Sequence, residues 1–302
     1  MIGARDPIGI RPLVIGKLGN AYVLASETCA LDMVGAEFVR EVENGEVVLI
    51  SDAGLESHRP FPRRPARPCI FEYIYFSRPD SIVGGRTVYD IRKQMGVQLA
   101  REAPAEVDVI VPIPDSGVPA AIGYSQESGI PFELGIIRNH YVGRTFIEPE
   151  QRIRQLGVKL KHSANSGVIK GKRVLLVDDS VVRGTTSKKI VQLIRDAGAR
   201  EVHMRISSPP ITHPDFYGID TPRKKDLLAA NMSLAEMRDF MEADSLAFLS
   251  VDGIYRSIGV DARDARSPQF TDHCFTGDYP TELTDQNGET APRQLSLLAE
   301  VG

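Results

Sequence analysis

Between residues 87 and 206 short apolar runs alternate with longer amphipathic stretches, and this alternation narrows the folds open to the chain. Thr87 to Arg101 reads as an amphipathic helix, VDVIVPIPDSG as a strand entering a turn, and Val118 to Ser128 as a helix. IPFELGII is expected to be a strand, as is CIFEYIYF, which is rich in aromatic residues. Val174 to Val177 then forms a strand, Thr186 to Ala197 a helix stopped by Gly198, and EVHMRISSPP a further strand. Such alternation predicts an α/β fold with a parallel sheet covered on both faces. In sheets of that kind, ligands bind at the carboxyl ends of the strands.

One such end carries the segment VLLVDDSVVRGTTSKKIV, Val174 to Val191. Asp178 and Asp179 repel each other there, directly after an apolar run. The loop SVVRGTT follows and leads into a helix, whose backbone N–H groups and dipole suit a phosphate. Gly184 allows the backbone to come close, and Thr185 and Thr186 add hydroxyl donors. Two acids beside a phosphate cradle would repel the ligand unless they hold something else. Ribose hydroxyls and Mg²⁺ meet that need, since Mg²⁺ takes oxygen ligands. The plain alternative is a solvated turn at a strand end.

Other stretches point the same way with less force. In PIPDSG, Asp115, Ser116 and Gly117 form a turn whose N–H groups can face a pyrophosphate, although an ordinary type I turn accounts for the residues equally well. The segment 138–162 gathers Arg138, His140, Arg144, Arg152, Arg154, Lys159, Lys161 and His162, with Gly143 and Gly157 as hinges. It is a solvated charge run, a nucleic-acid patch, or a lid that closes over a phosphate-rich substrate.

Ahead of this region, residues 12–26 alternate as a hairpin around GKLGN, followed by a helical piece at 30–35 and a strand from Glu46 to Ile50. SDAGLESHRPFPRRPARP reads as an extended linker with a boundary near Pro60. With 40 acidic and 36 basic side chains the net charge is −4, which gives no overall electrostatic footprint for nucleic acid. No apolar stretch reaches membrane-spanning length, and the N-terminus has no secretory pattern. Three cysteines at wide spacing imply no disulfide framework and a reducing cytoplasm. After Arg223 a helical segment, 233–243, precedes a polar tail expected to be disordered over 286–302.

The DD…GTT string resembles the phosphoribosyl-pyrophosphate (PRPP) signature of type I phosphoribosyltransferases. CIFEYIYFSRPDS, VPIPDSGVPAAIGYS, RNHYVGRTFIEPEQRIRQLGVKLKHS and RISSPPITHPDFYGIDTP resemble amidophosphoribosyltransferases, in that family's order and over nearly the whole chain. The resemblance implies a type I phosphoribosyltransferase fold over 59–285, preceded over 1–58 by the end of an N-terminal-nucleophile glutaminase domain. It implies a reaction in which ammonia attacks C1 of PRPP and pyrophosphate leaves, the first committed step of purine biosynthesis. Ser116, Asp178 and Asp179 become the Mg²⁺ ligands. Asp178, Asp179 and Arg144 carry catalysis. Arg138, Asp115, Ser116, Gly117, Thr145, Arg183, Gly184, Thr185 and Thr186 bind substrate, with the YVGRTF loop closing and Lys159 a weaker candidate. Purine nucleotides are implied as inhibitors, and a homo-oligomer as the assembly.

The sequence departs from that family in two places. LASETCALD, with Cys29, falls late in the family's glutaminase half, so the nucleophilic cysteine and the glutamine-binding residues are not expected here. The chain is then ammonia-dependent at best, and its N-terminal strands are expected to lack partners. Some family members hold an iron–sulfur cluster through four cysteines. Cys69 matches one position, Asp215 replaces another, and Cys274 matches a neighbouring non-ligand position, so no cluster is expected. Two alternatives are a salvage- or orotate-type phosphoribosyltransferase, which lacks the YVGRTF and ISSPPITHP segments, and a PRPP-binding regulator, which needs a nucleic-acid-binding module.

Overall fold

The computed structural model describes residues 1–139, 162–218 and 223–283. Its centre is a four-stranded parallel sheet. The strands are β9 (Val109–Pro112), β12 (Arg173–Asp178), β13 (Glu201–Ile206) and β14 (Ser245–Phe248), ordered β14-β13-β12-β9. Val174, Leu175, Leu176 and Val177 of β12 have no solvent exposure, as a strand covered on both faces requires. Their side chains alternate between two cores. Leu175 and Val177 face one cluster with Ile110, Met95 and Tyr124. Val174 and Leu176 face the other, with Ile190, Ile194 and Met241. Burying each such side chain contributes about 1.5–3 kcal/mol.

The helices Val88–Glu102 and Val118–Ser128 cover the first face. They approach so closely that a Cβ on Gly96 would lie 1.8 Å from the Ala120 carbonyl oxygen, and one on Gly123 1.9 Å from that of Lys93. The helix Thr185–Asp196 covers the second face, burying Ile190, Val191 and Ile194 at helical spacing. The helix Leu234–Met241 packs beside it, started by a capping box between Ser233 and Glu236. Among the described residues no helix is long and apolar enough to cross a membrane.

The N-terminal residues form two small antiparallel sheets. One joins β1 (Ile2–Ala4), β5 (Val47–Ser51) and β6 (Gly54–His58); the other joins β2 (Val14–Leu18), β3 (Ala21–Ala25) and β4 (Glu37–Glu41). The expected hairpin at 12–26 is β2–β3, and the short helix ends at Gly35 in the left-handed conformation. The strands are not without partners, since they pair with one another, but the outer strands of both sheets have one partner each, and Ile2, Phe38 and Val39 on them are exposed. The expected linker likewise starts too early: its first residues are β6, hydrogen-bonded to β5.

Two further expectations are corrected. CIFEYIYF is not a strand. Cys69 makes one parallel bridge to Thr271, and Glu72–Phe76 then forms a π-helical turn. Cys69 through Ile74 are all buried while Tyr75 is exposed, so the run lacks the two-residue alternation of a half-buried strand. IPFELGII is divided. Phe132 bridges Ile110, and β10 (Ile136–Arg138) turns away to pair antiparallel with β11 (His162–Ala164).

Candidate functional site

The site forms where the winding of the sheet reverses. From β9 the chain passes through the helix Val118–Ser128 to Phe132, which lies beside Ile110 on one side of β9. The next sheet strand, β12, lies on the other side. Connections leaving in opposite directions open a crevice at the carboxyl ends of these strands, and doubly wound sheets bind ligands in such crevices.

The loop after β9 rests directly on the end of β12. Ile113 donates its N–H to the Val177 carbonyl at 2.9 Å, and Gly117 donates to Ile113 at 3.0 Å. A Cβ at Gly117 would stand 2.4 Å from the Val177 carbonyl oxygen, so a side chain there would lift the loop. The close approach brings the Ser116 hydroxyl beside Asp179, whose carboxyl it helps to hold down. The three residues expected to share a metal therefore meet from two separate loops.

Asp178 ends β12 half-buried, and Asp179 is 6% exposed. Asp178 accepts a hydrogen bond from the Asp179 N–H at 2.9 Å, and Asp179 accepts one from the Ser180 hydroxyl at 2.6 Å. Burial pushes the Asp178 carboxyl well above the ordinary carboxylate range, and the neighbouring Asp179 adds to the shift. Burial also raises Asp179, against the pull of the Ser116 and Ser180 hydroxyls. Two desolvated carboxylates of like sign with a hydroxyl beside them form an all-oxygen donor set for a hard divalent cation.

Behind the pair lies a cation that sequence reasoning missed. Arg92 is 4% exposed; it donates to the Tyr73 carbonyl at 2.8 Å and to the Ser77 carbonyl at 2.7 Å. Burial lowers its pKa, and the field of Asp179 opposes that shift. A signal was available: Arg92 lies in the apolar stripe of its helix, with Val88, Ile91, Met95 and Leu99.

The second loop begins the helix Thr185–Asp196. Gly184 adopts φ +70°, and a Cβ there would meet Leu228 at 2.6 Å, so glycine is required on both counts. No side chain caps this helix, which leaves its first N–H groups for a ligand. Arg183, Thr185 and Thr186 are exposed. Arg138 is paired with Asp115, so both expected pyrophosphate contacts stand at the same edge of the crevice. Arg144, Thr145, Lys159 and the YVGRTF lid lie outside the described residues, as does the tail 286–302.

A crevice at the switch point of a parallel sheet, with paired acids and a glycine-started helix, is the layout of the type I phosphoribosyltransferase fold. The phosphoribosyl transferase domain family matches residues 81–207. Amidophosphoribosyltransferase of Rhizobium etli is 61% identical over the whole chain, which covers 62% of that protein; the Bacillus subtilis enzyme is 54% identical over 94% of the chain and 59% of its own length. A solved structure described as glutamine PRPP amidotransferase from B. subtilis complexed with ADP and GMP superposes with a TM-score of 0.86 at 52% identity, covering 96% of this chain and 64% of that one. The chain belongs to the amidophosphoribosyltransferase family. It spans about three-fifths of the length of these curated relatives. The salvage-type and regulator alternatives are not favoured by these relatives.

Proposed function

We propose that the chain transfers a phosphoribosyl group from PRPP to ammonia, giving 5-phosphoribosylamine and pyrophosphate, the first committed step of purine biosynthesis. The observation that carries this reading is the meeting of Ser116 with Asp179 at the sheet's switch point, beside the uncapped helix at Gly184. We assign the transfer to residues 59–285 and read residues 1–58 as the end of a glutaminase domain.

The N–H groups at Thr185 and Thr186 would hold the 5′-phosphate. Asp178 and Asp179 would accept hydrogen bonds from the ribose hydroxyls and stabilise positive charge as it develops on the ring. Arg138 would hold the pyrophosphate, with Asp115 setting its position. Mg²⁺, bound by Ser116, Asp178 and Asp179, would neutralise charge on the leaving pyrophosphate. Ammonia attacks C1, the C1–oxygen bond to pyrophosphate breaks, and the ammonium nitrogen then loses a proton. No covalent nucleophile is needed; orientation and exclusion of water supply the rate, the latter assigned to the Arg144 and Thr145 lid.

Ammonia is the proposed nitrogen donor. Cys29, the one cysteine within residues 1–58, is buried and hydrogen-bonds Glu27, and burial raises its pKa. A thiol held this way is a poor nucleophile. The bound ADP and GMP named for the B. subtilis relative support purine nucleotides as regulatory ligands here. A homo-oligomer in a reducing cytoplasm completes the reading. The test mixes the chain with PRPP and Mg²⁺ and follows pyrophosphate release. Release with ammonia but not with glutamine is expected, and no release with ammonia would overturn the assignment.

A further inference from the structure

The segments 211–217 and 270–277 are stitched together by backbone hydrogen bonds from Thr212 and His213 to the Cys274 carbonyl, at 2.9 and 3.1 Å. The join brings three metal-ligating side chains together. A carboxylate oxygen of Asp215, a ring nitrogen of His273 and the sulfur of Cys274 lie within 4.8 Å of one another. All three residues are buried, with exposures of 5%, 1% and 4%. His273 Nε2 is 3.1 Å from an Asp215 oxygen and 3.5 Å from the Cys274 sulfur. A single N–H serves only one of these neighbours well, whereas a cation between the three would serve all of them.

We propose that Asp215, His273 and Cys274 form a buried zinc site, structural in role, with Cys69, which stands outside that 4.8 Å group, swinging its sulfur in as the fourth ligand. A carboxylate, imidazole and thiolate set suits Zn²⁺ and not Mg²⁺, which avoids sulfur. Cys69 is 2% exposed, and its backbone bridges Thr271, two positions before His273. Its side chain and that of Cys274 belong to one apolar cluster.

The charges balance. Two thiolates and one carboxylate around Zn²⁺ leave one negative charge, and the Arg11 guanidinium stands 3.6 Å from Asp215 to meet it. An ordinary thiol keeps its proton at neutral pH, so both sulfurs are protonated before metal binds. Zinc uptake therefore forms two Zn–S bonds and releases two protons to solvent. The proposal stands apart from the phosphoribosyl reading, because it uses none of the crevice residues.

The experiment strips the full chain with a chelator and titrates it with Zn²⁺ and, separately, with Co²⁺. Expected results are about one metal per chain and a near-ultraviolet thiolate-to-cobalt charge-transfer band. Cys274→Ser and His273→Gln should weaken metal binding at least about tenfold. The double change Asp178→Asn and Asp179→Asn should leave the cobalt band untouched. Absence of the band, or a band of undiminished intensity and affinity in Cys274→Ser, would overturn the proposal. If Cys274→Ser does not fold, the melting midpoint of the unaltered chain decides. A rise with zinc supports the site, and an unchanged midpoint removes it.

Discussion

Arg138 and Asp115 form an ion pair that joins the end of β10 to the loop after β9, across 23 positions of chain. The pair sets a competition, because an incoming pyrophosphate must draw the guanidinium from the carboxylate. Arg138→Gln should raise the KM for PRPP by roughly 10- to 100-fold, the effect of losing about 1.5–3 kcal/mol of charge-assisted hydrogen bonding. Asp115→Asn should move the pyrophosphate inhibition constant downward, since it removes the competing anion. Product-inhibition kinetics on both variants check the two directions.

Asp178→Asn combined with Asp179→Asn should abolish turnover while the circular dichroism spectrum stays native. The pair is desolvated and of like charge, so neutralising it relieves repulsion in the folded state. The double variant should therefore melt no lower than the parent in magnesium-free buffer. Unchanged ammonia-dependent activity would remove the pair from the mechanism.

Gly123→Ala should destabilise the chain by about 1–3 kcal/mol, the usual cost of overpacking. The added methyl meets the Lys93 carbonyl, a backbone atom that cannot rotate away. Gly129→Ala is the control for steric crowding: nothing lies within 4 Å of a Cβ there, and its cost should come from the φ of +72° alone. Denaturant midpoints for the two variants separate crowding from backbone conformation.

Glu46 gives a pH prediction. Its carboxyl is fully buried and accepts hydrogen bonds from Arg40 at 2.7 and 2.8 Å, from Ser57 at 2.6 Å and from the Glu43 N–H at 2.6 Å. The Arg40 bonds, the largest influence, outweigh burial and lower the carboxyl from 4.5 to about 2. The folded state then binds fewer protons than the unfolded chain between these values. The stabilisation is fully present above the unfolded pKa and is lost as the pH falls through about 2. Arg40 is partly exposed, so solvent screening reduces the contribution to roughly 2 kcal/mol. Glu46→Gln should lower the melting midpoint at pH 7, and the gap from the parent should close as the pH drops below about 4. A gap of constant size across that range would contradict the assignment.

Much of the sheet was legible because its strands are buried on both sides. Val174 to Val177 could not have been a half-exposed strand, and its acids had to stand at the sheet's edge. The glycine before Thr185 marked the helix start for the same local reason. The aromatic run at 69–76 misled because its composition favours a strand, while its first six positions are buried without alternation and close into a π-helical turn. Arg92 escaped notice because a charged residue in an apolar stripe reads as a blemish until the fold shows which carbonyls it meets. The pairing of Ser116 with Asp179 depends on two loops far apart in sequence, which no local pattern reports.

The near-contact of Gly96 and Gly123 with opposing carbonyls has a consequence beyond stability. The helix that contains Gly123 begins at Val118, immediately after Ser116 and Gly117. It therefore works as a rigid lever with its fulcrum clamped against a neighbour and its tip at the reaction centre. A fraction of an ångström of widening at the fulcrum would be delivered to the Ser116 hydroxyl, so those two glycines set the alignment tolerance of a group they never touch.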